Sequence, residues 1–155
     1  MEIKDFLDPS HVMIDVRASD KASLLRELAG RAAAALDLSA DLVSSALLKR
    51  EELGSTGTGG GVAIPHARLD GVSKPFGMLV RLAKAIDFDA IDGQPVDIVF
   101  LLLLPANPQG EQLNALACAA RALRDLDVVR NLRHAGDDAA LYRAAANDSA
   151  KSRPA

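Results

Sequence analysis

The 155-residue chain is 49% apolar and 25% charged, enough to bury about two thirds of the unfolded surface in one domain and too apolar for intrinsic disorder. Eighteen Lys and Arg against 21 Asp and Glu give a formal charge of −3, which leaves no basic field for nucleic acid or anionic lipid. A lone Cys118, no N-terminal apolar segment and no apolar run longer than Ile98 to Leu104 argue against a disulfide framework, secretion and direct membrane insertion, and make the cytoplasm the expected compartment.

Near the start, Val12, Ile14 and Val16 alternate with Met13, Asp15 and Arg17, which predicts a strand over 12–17. Ser19 or Asp20 can cap a helix carrying Leu25, Leu28, Ala29, Ala32 and Leu36 at helical spacing, ending near Asp37. Ser39 caps a second, with Val43, Ala46, Leu47, Arg50 and Leu53 on one face and Gly54 as its stop. Five of the eleven glycines then fall between Gly54 and Gly61, a density that neither helix nor strand favours, so a loop is predicted. Val62 to Ile64 reads as a short strand, and Phe76 to Leu82 and Val96 to Leu104 as longer ones. The last, almost wholly apolar, belongs in the middle of a sheet covered on both faces. A helix over about 109–124 places Leu113, Leu116, Ala117, Ala120 and Leu123 on one stripe with Cys118 beside it, and shorter helices follow at 127–134 and 137–146. Strands and helices in this order predict an α/β fold: one domain over 1–146 with a helix-covered sheet, and a polar, disordered tail over 147–155.

His66 has the most distinctive setting of the three histidines, directly after Pro65 and close behind the glycine-rich run. Proline fixes its own φ and donates no hydrogen bond, so the ring is presented from stiff, non-repetitive backbone. A neutral imidazole is a nucleophile, and the bond made by one ring nitrogen decides which nitrogen attacks. A phosphoryl group accepted there would need donors, and glycine-loop amides at Gly59 and Gly60 with the hydroxyls of Ser55, Thr56 and Thr58 could form an anion nest. Arg50 lies four residues after Ala46 and three after Leu47, so it continues the apolar stripe inward, where a guanidinium calls for an anion. Read alone, the same arginine is also a helix-end cap and the histidine a packed surface residue. The run has no Gly-Lys-[Ser/Thr], and a G-x-G-x-x-G reading fails at Val62 and Ile64, so nucleotide binding has little support. His11 and His134 lack spaced ligand partners, and no metal or other cofactor is expected. A serine-hydrolase reading has no G-x-S-x-G.

The stretch from Lys49-Arg50-Glu51-Glu52 through Gly54-Ser55-Thr56-Gly57-Thr58-Gly59-Gly60-Gly61 to Ala63-Ile64-Pro65-His66-Ala67 resembles the phosphohistidine motif of the type-2 enzyme IIA domains of the phosphoenolpyruvate-dependent phosphotransferase system. Ile86-Asp87-Phe88 and Asp92-Gly93-Gln94-Pro95-Val96-Asp97 resemble a second block of that family, in the form of its nitrogen-related branch. The resemblance runs from about residue 5 to 145. It implies a mixed, mostly parallel sheet flanked by helices and a phosphotransferase-type phosphocarrier whose histidine, here His66, is phosphorylated on Nε2 by a small histidine phosphocarrier protein. Arg50, sixteen residues earlier, matches the family's active-site arginine, and Gln112 stands where members commonly carry another histidine. Glutamine can donate to a phosphoryl oxygen but carries no charge. The implied role is nitrogen-related regulation, with a sensor kinase or a potassium transporter or channel as phosphorylation-sensitive partner. Two alternatives remain open: a sugar-specific enzyme IIA of the fructose/mannitol class passing phosphate to a separate enzyme IIB, and a state-dependent binding regulator without onward transfer.

Overall fold

Capping chemistry sets the first two helices where the sequence places them. The Asp20 carboxylate accepts the Ser23 amide and opens α1 (Lys21–Leu36), and Asp37, at a left-handed φ of 57°, closes it. The Ser39 hydroxyl accepts the Leu42 amide and opens α2 (Ala40–Glu52). The computed structural model describes residues 1–107, 110 and 114–146. The predicted tail at 147–155 therefore lies outside the described residues, as do Gln109, Gln112 and Leu113.

The strands are β1 (Leu7–Val16), β2 (Gly57–Gly59), β3 (Val62–Ala63), β4 (His66–Leu69), β5 (Phe76–Ile86) and β6 (Val96–Pro105). They form a six-stranded sheet in the order β1-β5-β6-β3-β2, with β4 also paired to β6. Parallel pairing joins β1 to β5 and β6 to both β3 and β4, while β5–β6 and β2–β3 are antiparallel. The sheet is mixed and mostly parallel, as expected. Three helices, α3 (Asn114–Arg124), α4 (Leu126–His134) and α5 (Asp138–Ala146), follow among the described residues.

β6 is the spine. Val99, Leu101 and Leu103 pack into the cluster that includes Leu28, Val43 and Leu47 of α1 and α2. Ile98, Phe100, Leu102 and Leu104 pack with Ala119, Leu132 and Leu141 of α3, α4 and α5. Alternation in a strand covered on both faces thus feeds two separate cores. Arg81 of β5 fastens the end of α4 to the sheet, its Nη1 donating to the carbonyls of Leu132, Arg133 and Ala135 at 2.7–3.2 Å.

β1 and the glycine-rich run differ from the sequence reading. β1 begins at Leu7, five residues early, and contains Pro9, which is admissible because β1 is an edge strand with no ladder partner on its outer side. Within it, Asp15 takes a φ of 57° and the register slips between Met13 and Val16, so the alternation there is not that of a regular strand. The glycine-rich run is only partly a loop. Gly57–Gly59 pairs with Val62–Ala63 around a two-residue turn in which Gly60 and Gly61 both have positive φ, 67° and 81°, as tight hairpins of the primed kind require.

Candidate functional site

Val62 and Ala63 run beside Ile98 and Val99 of β6, Ile64 and Pro65 separate β3 from β4, and His66 resumes pairing in the same register beside Leu102. Pro65 has no amide to donate, but its carbonyl accepts the Leu102 amide at 2.9 Å, so hydrogen bonding to β6 continues across the interval between the two strands. His66 is therefore the first residue of a strand, not part of irregular backbone as its sequence setting suggests. Ala67 and Leu69 point into the α1/α2 core, which turns His66 and Arg68 to the opposite face. β4 pairs only with β6, leaving its other edge open among the described residues.

Around that edge lies a cleft of about 340 Å³ lined by Ala46, Arg50, His66, Ala67, Arg68, Leu104 and Leu116. Arg50 reaches it from the last turn of α2, where its Nη1 also donates to the Gly54 carbonyl at 2.9 Å. It is thus both the helix-end cap and a cleft-lining guanidinium, with its remaining N–H groups uncommitted by any hydrogen bond among the described residues. Neither Arg50 nor Arg68 has an acidic partner within ion-pair distance in that set.

Nδ1 of His66 lies 2.8 Å from the Ile64 carbonyl oxygen. A carbonyl can only accept, so Nδ1 carries the proton and Nε2 keeps its lone pair. Burial pushes the imidazole pKa below the usual 6.5, the Ile64 hydrogen bond opposes that, and the charges of Arg50 and Arg68 add to the lowering. The ring is accordingly neutral at pH 7. Stability follows the same linkage: between the folded and unfolded pKa values the unfolded chain binds more protons. The stability from burying the neutral ring is complete above about pH 6.5 and lost as pH falls through the folded value. We expect modification of Nε2 by an electrophile to fall to half its high-pH rate only at a pH below 6.5. A rate that halves at or above 6.5 in a pH profile would contradict this.

The expected anion nest does not assemble here. Ser55 Oγ donates to the Phe88 carbonyl at 2.7 Å and accepts the Gly57 amide. The Thr56 amide and hydroxyl both donate to the Glu51 carboxylate. The Gly60 amide donates to Asp92 at 2.9 Å, and its carbonyl accepts Arg133 Nη2 at 2.6 Å. The Gly59–Val62 turn lies at the Ile98 level of β6 and His66 at the Leu102 level, roughly 13 Å apart along the strand. Thr58, Gly59 and Gly60 are therefore hairpin residues at the far end, and none of the five lines the cleft. Gln112 lies outside the described residues.

The Phosphoenolpyruvate-dependent sugar phosphotransferase system, EIIA 2 family model matches residues 5–147. The chain belongs to this family. An EIIA 2 relative named nitrogen regulatory protein, from Bradyrhizobium diazoefficiens, is 44% identical over 142 residues, covering 92% of this chain and 93% of that protein. The nitrogen regulatory protein of Escherichia coli is 41% identical, covering 82% and 78%. Among solved structures, nitrogen regulatory protein IIA-Ntr from Neisseria meningitidis superposes with a TM-score of 0.85 at 34% identity, covering 92% and 97%. The E. coli mannitol IIA crystal structure shares the fold, with a TM-score of 0.68 at 22% identity over 86% and 95%. Two residues, Arg68 lining this cleft and Glu51 buried behind it, escaped sequence reasoning. Arg68 was legible as the same-face neighbour of His66 had β4 been recognised as a strand. Glu51 carried no signal beyond its place beside Arg50.

Proposed function

We propose that this chain is a phosphocarrier that accepts a phosphoryl group on His66 Nε2 from a histidine phosphocarrier protein, and that it serves in cytoplasmic, nitrogen-related regulation. The observation that carries the reading is the tautomer: Nδ1 is committed to the Ile64 carbonyl, so the nucleophilic lone pair on Nε2 belongs to a half-buried ring beside the guanidinium groups of Arg50 and Arg68, neither of them ion-paired among the described residues. In the transfer step the Nε2 lone pair attacks phosphorus as the donor N–P bond breaks, and that electron pair returns to the donor imidazole. No proton has to leave Nε2 first. Negative charge on the three equatorial oxygens is met by Arg50 and by Arg68, while Leu104 and Leu116 wall off water. The donor must bring its own ring to the open edge of β4, so two proteins dock face to face.

The test is incubation with phosphoenolpyruvate, enzyme I and the phosphocarrier, read by intact mass. An acid-labile phosphoryl gain in the parent that disappears in His66→Ala is expected. No gain, or the same gain in His66→Ala, defeats the proposal.

The regulatory role is supported by relatives named nitrogen regulatory protein that align over nine tenths of the chain. A phosphoryl group of about −1.5 to −2 charges would cancel the field of Arg50 and Arg68, altering what the cleft face binds, such as a sensor kinase or a potassium transporter. The sugar-specific alternative draws on a fructose-specific EIIA component of Haloferax volcanii, 42% identical over 92 residues. Passage of phosphate to a separate enzyme IIB supports that alternative, and partners that bind only one phosphorylation state support regulation.

A further inference from the structure

Among the described residues the buried polar side chains are Glu51 and Thr56, 7% and 5% exposed, and they are bonded to each other. One Glu51 oxygen accepts the Thr56 amide at 2.8 Å and the other accepts its hydroxyl. Lys21 completes the pair's surroundings: its Nζ lies 3.4 Å from Glu51 Oε2 and 3.3 Å from Asp89, and donates to the Phe88 carbonyl. A carboxylate is retained in such a place only when paired, since burying it alone is strongly unfavourable.

From Thr56 the hydrogen bonding continues without a gap. The Thr56 carbonyl accepts the Ile64 amide at 2.9 Å, and the Ile64 carbonyl accepts His66 Nδ1–H at 2.8 Å. Glu51, Thr56, Ile64 and the imidazole are thus linked by successive hydrogen bonds; the N–H and C=O of one residue belong to different peptide groups, so the link is one of position, each bond fixing where the next residue sits. Glu51 belongs to the same helical turn as Arg50, whose guanidinium is held by the Gly54 carbonyl two residues before Thr56.

We propose that Glu51 is a positioning residue for His66: through Thr56 and Ile64 it holds the Nδ1–H tautomer and aims Nε2 into the cleft. The proposal rests on His66 being the phosphoryl acceptor for its functional meaning, but its geometric content is independent of that reading. Glu51 touches neither donor nor phosphoryl group and acts on the ring through the backbone it fastens; its charge reaches the ring as well, opposing the lowering of the imidazole pKa.

The experiment compares the parent with Glu51→Gln and Glu51→Ala by imidazole 15N spectra of His66 at neutral pH, by amide spectra that report folding, and by the rate of phosphoryl acceptance. Glu51→Gln keeps the shape should Glu51→Ala fail to fold. The parent is expected to show a single Nδ1–H tautomer. In the folded variants the Nε2–H tautomer becomes visible, and the transfer rate falls roughly tenfold. A folded Glu51→Gln or Glu51→Ala whose His66 spectrum matches the parent overturns the proposal, including when its rate drops, since that drop would be merely structural. If the parent accepts no phosphoryl group yet the tautomer shifts in the variants, the positioning series stands and the functional reading falls.

Discussion

Arg50→Ala should slow phosphoryl acceptance by His66 about a hundredfold to a thousandfold, the usual penalty for removing one well-placed donor from a site where negative charge develops. Arg50 lines the His66 cleft without an ion-pair partner in the described structure, and the Gly54 carbonyl takes only one of its N–H groups. The bond to Gly54 holds the guanidinium at the cleft and leaves N–H groups for an anion, which limits the reorganisation that transfer would require. The folded state should barely register the change. The lost bond to Gly54 contributes about 1 kcal/mol, which in a domain of this size corresponds to about 2–4 °C in Tm. Arg50→Lys keeps the charge and loses the fork, and should recover part of the rate. The measurement is single-turnover transfer from the phosphorylated carrier, with a thermal melt on the same samples. A rate equal to that of the parent removes Arg50 from the site, and a fall in Tm well beyond this range marks it as structural.

Phe100→Ala should give the largest loss of stability, about 3–5 kcal/mol. Phe100 sits in the middle of β6 with no exposure and meets Phe6 edge to face, with ring centroids 6.0 Å apart. It shares its cluster with Leu79 of β5 and Leu132 of α4, so truncation leaves a void at the junction of strand, helix and N-terminal segment that no single movement fills. Tm should fall by about 6–20 °C, as read by calorimetry or circular dichroism. Phe100 lies two residues from Leu102, the ladder partner of His66, yet phosphoryl acceptance well below the new Tm should be close to that of the parent. Retained stability would mean that the α3–α5 face is not packed as described. Lost activity in folded protein would mean that the β6 backbone moves with its side chains.

Much of the frame was legible because it depends on local chemistry. Asp20 and Ser39 act at helix starts through side-chain oxygens that face their own next turn, a relation contained within four residues. β6 was legible because a seven-residue apolar run is acceptable only where both faces are covered. The motif resemblance singled out His66 and Arg50, which the structure places in one cleft. The glycine-rich run was not legible in the same way. Its composition says loop, but a Gly60–Gly61 turn makes a hairpin out of it once β3 is fixed against β6.

The hydroxyls of Ser55 and Thr56 show the same limit. In sequence each is an available donor, and their nearness to His66 suggests an anion. Their use was decided by residues far along the chain or on another element: Phe88 offers a carbonyl to Ser55, and Glu51, kept buried beside Lys21, takes both donors of Thr56.

The sequence by itself determined which side chains have reactive chemistry, where helices begin, and which strand is central, because these follow from covalent identity and from spacing along one element. Only the tertiary structure decided which donors stay free, which ring nitrogen keeps its lone pair, and that Arg68 stands with Arg50 at the open edge of β4. Those outcomes depend on competition between hydrogen-bond partners brought together from distant parts of the chain, and spacing along the chain does not encode who wins.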